Sequence, residues 1–165
     1  MLRLLVGVLL CGLLVTAPAC DSVEAQRDFS AQAFLPPNGL DNDDWQIAPF
    51  FATAAFFLET PAPNPVPSGE VVAFTLRVQE PSAFPGAIIL TTSFDFDGDG
   101  DDREPDETIF LDTVEYDGGA QFFVDFDPRR SVGGVTRTFP PGATYRLRIL
   151  AGGEVLTYGD IRLGN

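Results

Sequence analysis

The sequence predicts an all-β protein, a single seven-stranded sandwich behind an N-terminal signal and tether. Apolar residues alternate with polar ones in several short runs, the period of half-buried strands. Glycine-rich turn signals such as Asp117-Gly118-Gly119 and Ala151-Gly152-Gly153 separate those runs. Seven short strands in the last 115 or so residues, with no convincing helix among them, point to two packed sheets.

The N-terminus reads as an address. Arg3 precedes an apolar run from Leu4 to Val15, and Ala17, Pro18 and Ala19 lead into Cys20. The run is too short to span a bilayer as a stable helix and fits a cleaved signal, residues 1–19. Cys20 directly after Ala19 resembles the lipobox of bacterial lipoproteins. The resemblance implies acylation at Cys20, export, and lipid anchoring to a bacterial membrane, either periplasmic or surface-exposed. The other reading of these residues is ordinary secretion with a free thiol. Cys11 leaves with the signal, so Cys20 is alone and no intrachain disulfide forms.

Residues 20–44 read as the lipidated cysteine and a flexible tether. Pro36-Pro37-Asn38-Gly39 and the acids Asp41, Asp43 and Asp44 suit an extended chain of at most about 80 Å. Docking of Phe29, Phe34 and Leu35 onto the domain is the alternative. The domain itself is expected over 45–165. Phe50 to Leu58 is a short apolar run, a strand by length and a helix by its alanines. Pro61 to Pro67 forbids regular pairing. Val71 to Gln79 is the cleanest strand, with Val72, Phe74, Leu76 and Val78 on one face. Ala87 to Phe96 repeats the pattern. Thr108 to Tyr116 and Ala120 to Asp127 flank one hairpin signal, and Thr144 to Leu150 and Glu154 to Leu163 flank the second.

Between the third and fourth of these strands lies DFDGDGDDREPD, Asp95 to Asp106. Eight of the 24 acids fall between Asp95 and Glu107, with only Arg103 among them. Such crowding is unfavourable unless water, salt or a cation relieves it. Acids occupy the first, third, fifth and twelfth positions and Gly100 the sixth, the ligand spacing of a calcium loop. The stretch resembles the DxDxDG loops of EF-hands and dockerins. That resemblance implies a calcium ion held by Asp95, Asp97, Asp99, the Asp101 carbonyl and Asp106, with Gly100 at the sharp turn. The β-forming flanks place the loop between strands rather than helices. A solvated acidic turn is the other reading.

A second resemblance concerns Phe139 to Tyr145, FPPGATY. It is similar to the LxPGTxY stretch that enters strand F of fibronectin type III domains, and implies an immunoglobulin-like or fibronectin type III-like sandwich. Tyr145 would then sit at the tyrosine corner, its hydroxyl returned to upstream backbone. Leu147 and Ile149 would continue inward, with Arg146 and Arg148 pointing out.

Composition narrows the function. The chain has no His, and all ten of its basic residues are Arg. Histidine-dependent nucleophilic catalysis, His-ligated zinc and lysine chemistry are therefore excluded. Nine positive against 24 negative side chains beyond residue 19 argue against nucleic acid and against docking on an anionic membrane. The expected function is a non-catalytic cell-envelope lipoprotein, a structural or protein-interaction module with a structural calcium loop. Its partners would be the membrane, through the anchor, and a protein or glycan. Exposed members of Phe50-Phe51, Phe56-Phe57 and Phe122-Phe123 would instead suit a carbohydrate-binding module. A carboxylate pair such as Asp125 and Asp127 leaves a glycosidase as a remote alternative.

Overall fold

The structure, a computed structural model, describes residues 18–39, 44–54, 56–59, 64–67, 69–79, 87–94, 107–115, 121–129 and 139–165. One α-helix, α1 (Pro18–Ala33), precedes a short 3-10 helix at Pro49–Ala54. Seven strands follow: β1 (Phe56–Glu59), β2 (Val72–Val78), β3 (Ile88–Phe94), β4 (Glu107–Val114), β5 (Gln121–Phe126), β6 (Thr144–Ala151) and β7 (Glu154–Arg162). They form two antiparallel sheets, ordered β1-β2-β5 and β4-β3-β6-β7.

The alternation in β2 does what its period requires. Val72, Phe74, Leu76 and Val78 are buried, while Ala73 and Arg77 are exposed. Val124 and Phe126 of β5 join them, set opposite Phe74 and Val72 in the sheet. The second sheet contributes Ile88, Leu90, Leu147, Ile149, Leu156 and Ile161 to the same core. Each such side chain contributes roughly 1.5–3 kcal/mol through burial.

Trp45 fills the core from outside the strands. Its ring lies 5.0 Å from that of Phe74. Gly159 leaves it room, since a Cβ there would stand 2.4 Å from the indole. Trp45 N donates to Tyr158 O at 2.7 Å, and Ala48 N donates to Leu156 O at 2.9 Å. These bonds cover the outer edge of β7, which would otherwise be an open template for pairing.

Three expectations need correction. The run from Phe50 to Leu58 is divided, with a 3-10 helix through Ala54 and a strand only from Phe56. Strands β4 and β5 do not form a hairpin, because β4 pairs with β3 and β5 pairs with β2 in the other sheet. Val124 and Phe126 of β5 are buried beside β2, and Asp117-Gly118-Gly119 lies outside the described residues. Glycine chemistry does make the second hairpin: Gly152 and Gly153 have φ of 59° and 90°, and Ala151 pairs with Glu154. Two successive positive φ values match a tight primed turn.

The third correction concerns the tether. Residues 20–44 were expected to be a flexible tether, with docking of Phe29, Phe34 and Leu35 as the alternative; Pro18–Ala33 is helical, and Phe29 packs against the core while Phe34 and Leu35 are exposed. Proline is tolerated in the first turn, where its missing N–H leaves no bond unmade. Gln26, Phe29 and Ala33 recur at helical spacing and turn toward the domain: Gln26 and Ala33 are buried, and Phe29 packs against the core. Among the described residues no helix is long and apolar enough to cross a membrane.

Candidate functional site

The residues proposed as calcium ligands, Asp95, Asp97, Asp99, Asp101 and Asp106, lie outside the described residues together with Gly100. Their frame is described. Phe94 at the end of β3 pairs with Glu107 at the start of β4, so the twelve intervening residues connect two adjacent antiparallel strands. Among the described residues no group of three or more His, Cys, Asp or Glu side chains is placed to hold a metal. Cys20 lies within the first turns of α1.

At Tyr145 the aromatic rings stack edge to face, with Phe139 5.1 Å away and Phe126 a further 5.2 Å beyond it. Tyr145 Oη donates to Pro140 O, five residues upstream, at 3.4 Å. Burial pushes the phenol up to about 12, so it stays a donor at any ordinary pH.

The most developed polar constellation joins α1 to the outer face of β6 and β7. Arg146 is opposite Asp160 in the β6–β7 ladder. Its Nε donates to Asp160 Oδ1 at 2.8 Å, and the second guanidinium arm donates to Oδ2 at 3.1 Å. The fork also reaches the carbonyls of Gln32, at 3.2 Å, and Leu35, at 3.4 Å, as well as Asn38 Oδ1. Asp160 Oδ2 accepts the N–H groups of Asn38 and Gly39, both at 2.9 Å. The side chains of the pair are 8% and 0% exposed. Burying two charges is favourable only when the geometry is good and the remaining lone pairs and protons are satisfied. Both conditions hold here.

Neighbouring contacts extend the seam. Arg148, 1% exposed, donates to Ala33 O at 3.5 Å and to Thr91 Oγ1 at 3.3 Å, and stacks over Phe34 at 4.5 Å. Gln26 donates to Val155 O at 3.0 Å and accepts from Phe50 N at 3.1 Å. Phe29 meets Tyr158 at 5.0 Å. Carbonyls at a helix C-terminus lack intrahelical partners and carry partial negative charge, so two guanidinium groups suit them. Asp160 accepts from the Arg146 guanidinium and from the N–H groups of Asn38 and Gly39, and so ties β6 and β7 to the segment after α1.

Arg146 and Arg148 do leave the core face, as expected, yet the helix covers them. Spacing alone does not reveal the pairing with Asp160. Counting back from the Gly152-Gly153 turn sets Gly159 opposite Arg146. A bulge at Ile149/Leu150 shifts the register by one residue, bringing Asp160 to the arginine and Gly159 to the core under Trp45. The other acids considered make different contacts. Asp125 is exposed, with its N–H bonded to Asp112 Oδ2 at 3.0 Å. Asp127 lies past the end of β5 and accepts from Arg129 N and Nε.

No protein-family model and no curated protein matches the chain. Among solved structures, the Pseudomonas fluorescens alkylpurine DNA glycosylase AlkC, bound to DNA containing an abasic site analog, is similar at 16% identity and a TM-score of 0.39. The match covers 68% of this chain and 31% of that one. A DNA-bound enzyme runs against the non-catalytic envelope module expected from the sequence, and that expectation is set aside as the statement of function. At this TM-score and identity the likeness carries neither the glycosylase's fold nor its chemistry to the present chain.

Proposed function

We propose that the chain is an exported domain held at a bacterial membrane through Cys20, with α1 as the strut that joins anchor to domain. The observation that carries this reading is the placement of Cys20 in the first turns of a helix whose far end is locked by Arg146, Asp160 and Arg148. The apolar run Leu4 to Val15 ahead of it supports export. The pairings β2-β5, β3-β6 and β6-β7 support an immunoglobulin-like or fibronectin type III-like sandwich, as does the Tyr145 corner. With a net charge of −14, partners other than nucleic acid are favoured, a protein or glycan among them.

The anchoring is tested by growing the expressing bacterium with labelled palmitate. The label enters the protein and is lost in Cys20→Ser. A mature N-terminus elsewhere, or a free Cys20 thiol, would sink the reading. Calcium at Asp95, Asp97, Asp99, the Asp101 carbonyl and Asp106 belongs to the same proposal, on the strength of the ligand spacing. Titration of calcium into chelator-treated protein should give saturable one-site heat that Asp97→Ala/Asp99→Ala abolishes. Equal heats from the two proteins would return the loop to a solvated turn.

A further inference from the structure

The strands and α1 share an axis, and the two ends of that axis differ. At one end lie the β6–β7 turn, the start of β3 and the end of β4, since Ile88 pairs with both Ala151 and Val114. The 3-10 helix is there too, because Gln26 bonds both Val155 O at the start of β7 and Phe50 N. At the other end Thr144 pairs with Arg162, and Phe94 pairs with Glu107. The end of β3 and the start of β4 therefore lie at that second end.

Helix α1 runs parallel to β7. Gln26 lies beside Val155, and six to twelve residues later Gln32 and Asn38 lie beside Tyr158 and Asp160. Read backward from Gln26, the helix travels out past the β6–β7 turn. Cys20 is six residues further on, about 9 Å along the axis. Cys20 and the Phe94/Glu107 strand ends thus lie at opposite ends of the domain.

The anchor end also carries exposed apolar side chains. Val23, one turn before Gln26, is 65% exposed, and Phe50 is 56% exposed. Pro49 and Ala52, beside Phe50 in the 3-10 helix, are exposed as well. Charges are present at this end too: Glu24, Arg27 and Asp28 on α1, Glu115 after β4 and Glu154 at the turn. The far end is where β3 stops and β4 starts, and the sequence from Asp95 to Glu107 holds eight acids in thirteen residues. An anionic surface repels that end most, whereas phenylalanine and valine side chains gain by entering the headgroup boundary.

We propose that the Val23/Phe50 end of the domain rests on the lipid surface, so that α1 orients the domain and turns the Phe94/Glu107 end of the sheet away from the membrane. The inference rests on anchoring at Cys20. The occupant of the apolar end is the bilayer because Cys20, the acylated residue of the proposed function, lies on α1 at that end.

The ends of β7 provide the test. Glu154 and Arg162 are both exposed and stand about 26 Å apart along one strand. Full-length protein is expressed with Glu154→Cys or with Arg162→Cys, isolated from membranes, labelled with a thiol-reactive fluorophore, and placed in phosphatidylcholine vesicles containing nitroxide-labelled lipid. Quenching should be several-fold stronger at 154 than at 162, and Phe50→Ser should shrink the gap. Equal quenching, or stronger quenching at 162, overturns the orientation. An unchanged gap in Phe50→Ser overturns the lipid contact. Mass spectrometry of the same samples separates the two levels: an unacylated Cys20 means that the anchoring reading has failed, and the orientation with it, whereas acylated protein with equal quenching fails the orientation alone.

Discussion

The outer face of β6 and β7 and the outer face of the three-stranded sheet are opposite in character. On β6 and β7 the outer residues are Arg146, Arg148, Tyr158 and Asp160, and three of these four are buried under α1 and the segment that follows it. On the three-stranded sheet the outer residues include Phe57, Arg77, Phe123 and Asp125, all exposed. Hydropathy alone would assign these roles the other way round. The arginines are covered because a helix end supplies carbonyls and Asp160 supplies the countercharge. The phenylalanines are bare because nothing among the described residues lies over them, and the pair Arg77–Glu59 beside them is a solvent-exposed one. Such pairs contribute little to stability.

The sharpest break of this contrast is Asp160→Ala. It strands Arg146 in a buried site and frees Asn38 and Gly39 N–H groups, and should cost about 3–5 kcal/mol by denaturant unfolding. A loss below about 1 kcal/mol would mean that water reaches the seam. Next comes Gln26→Ala, which removes the bonds to Val155 O and Phe50 N and should cost about 1–3 kcal/mol. In native-state hydrogen exchange, α1 should open more readily while β2 and β3 stay protected; uniform loss of protection would show that the helix unfolds only with the whole domain. The smallest effect is expected on the bare face. Phe123→Ser should change stability by no more than about 0.5 kcal/mol, because its ring is already in solvent. A larger loss would reveal cover on that face, by a partner or by a second copy.

Several parts of this arrangement were legible without coordinates. The alternation of Val72, Phe74, Leu76 and Val78 leaves one way to bury β2, and Gly152-Gly153 can turn a hairpin where bulkier residues would strain. The Pro140 to Tyr145 corner is local, so its hydrogen bond closes within five residues. Asp117-Gly118-Gly119 carried the same kind of turn signal and misled, because a turn dipeptide says that the chain reverses, not which strand receives it. The segment after Cys20 has weak amphipathicity and reads as solvated until a surface for Gln26, Phe29 and Ala33 exists.

What the amino-acid order determined by itself is local: the strand periods, the glycine turn, the acidic spacing of Asp95 to Asp106 and the apolar run ahead of Cys20. Only the tertiary structure decided that Arg146 meets Asp160, that Gly159 leaves room for Trp45, and that α1 lies on β7. The physical reason is that each of these contacts joins residues far apart in the chain or displaced by a bulge. Their free energy depends on burial and on hydrogen bonds completed from several segments at once, and no single stretch of sequence encodes that environment.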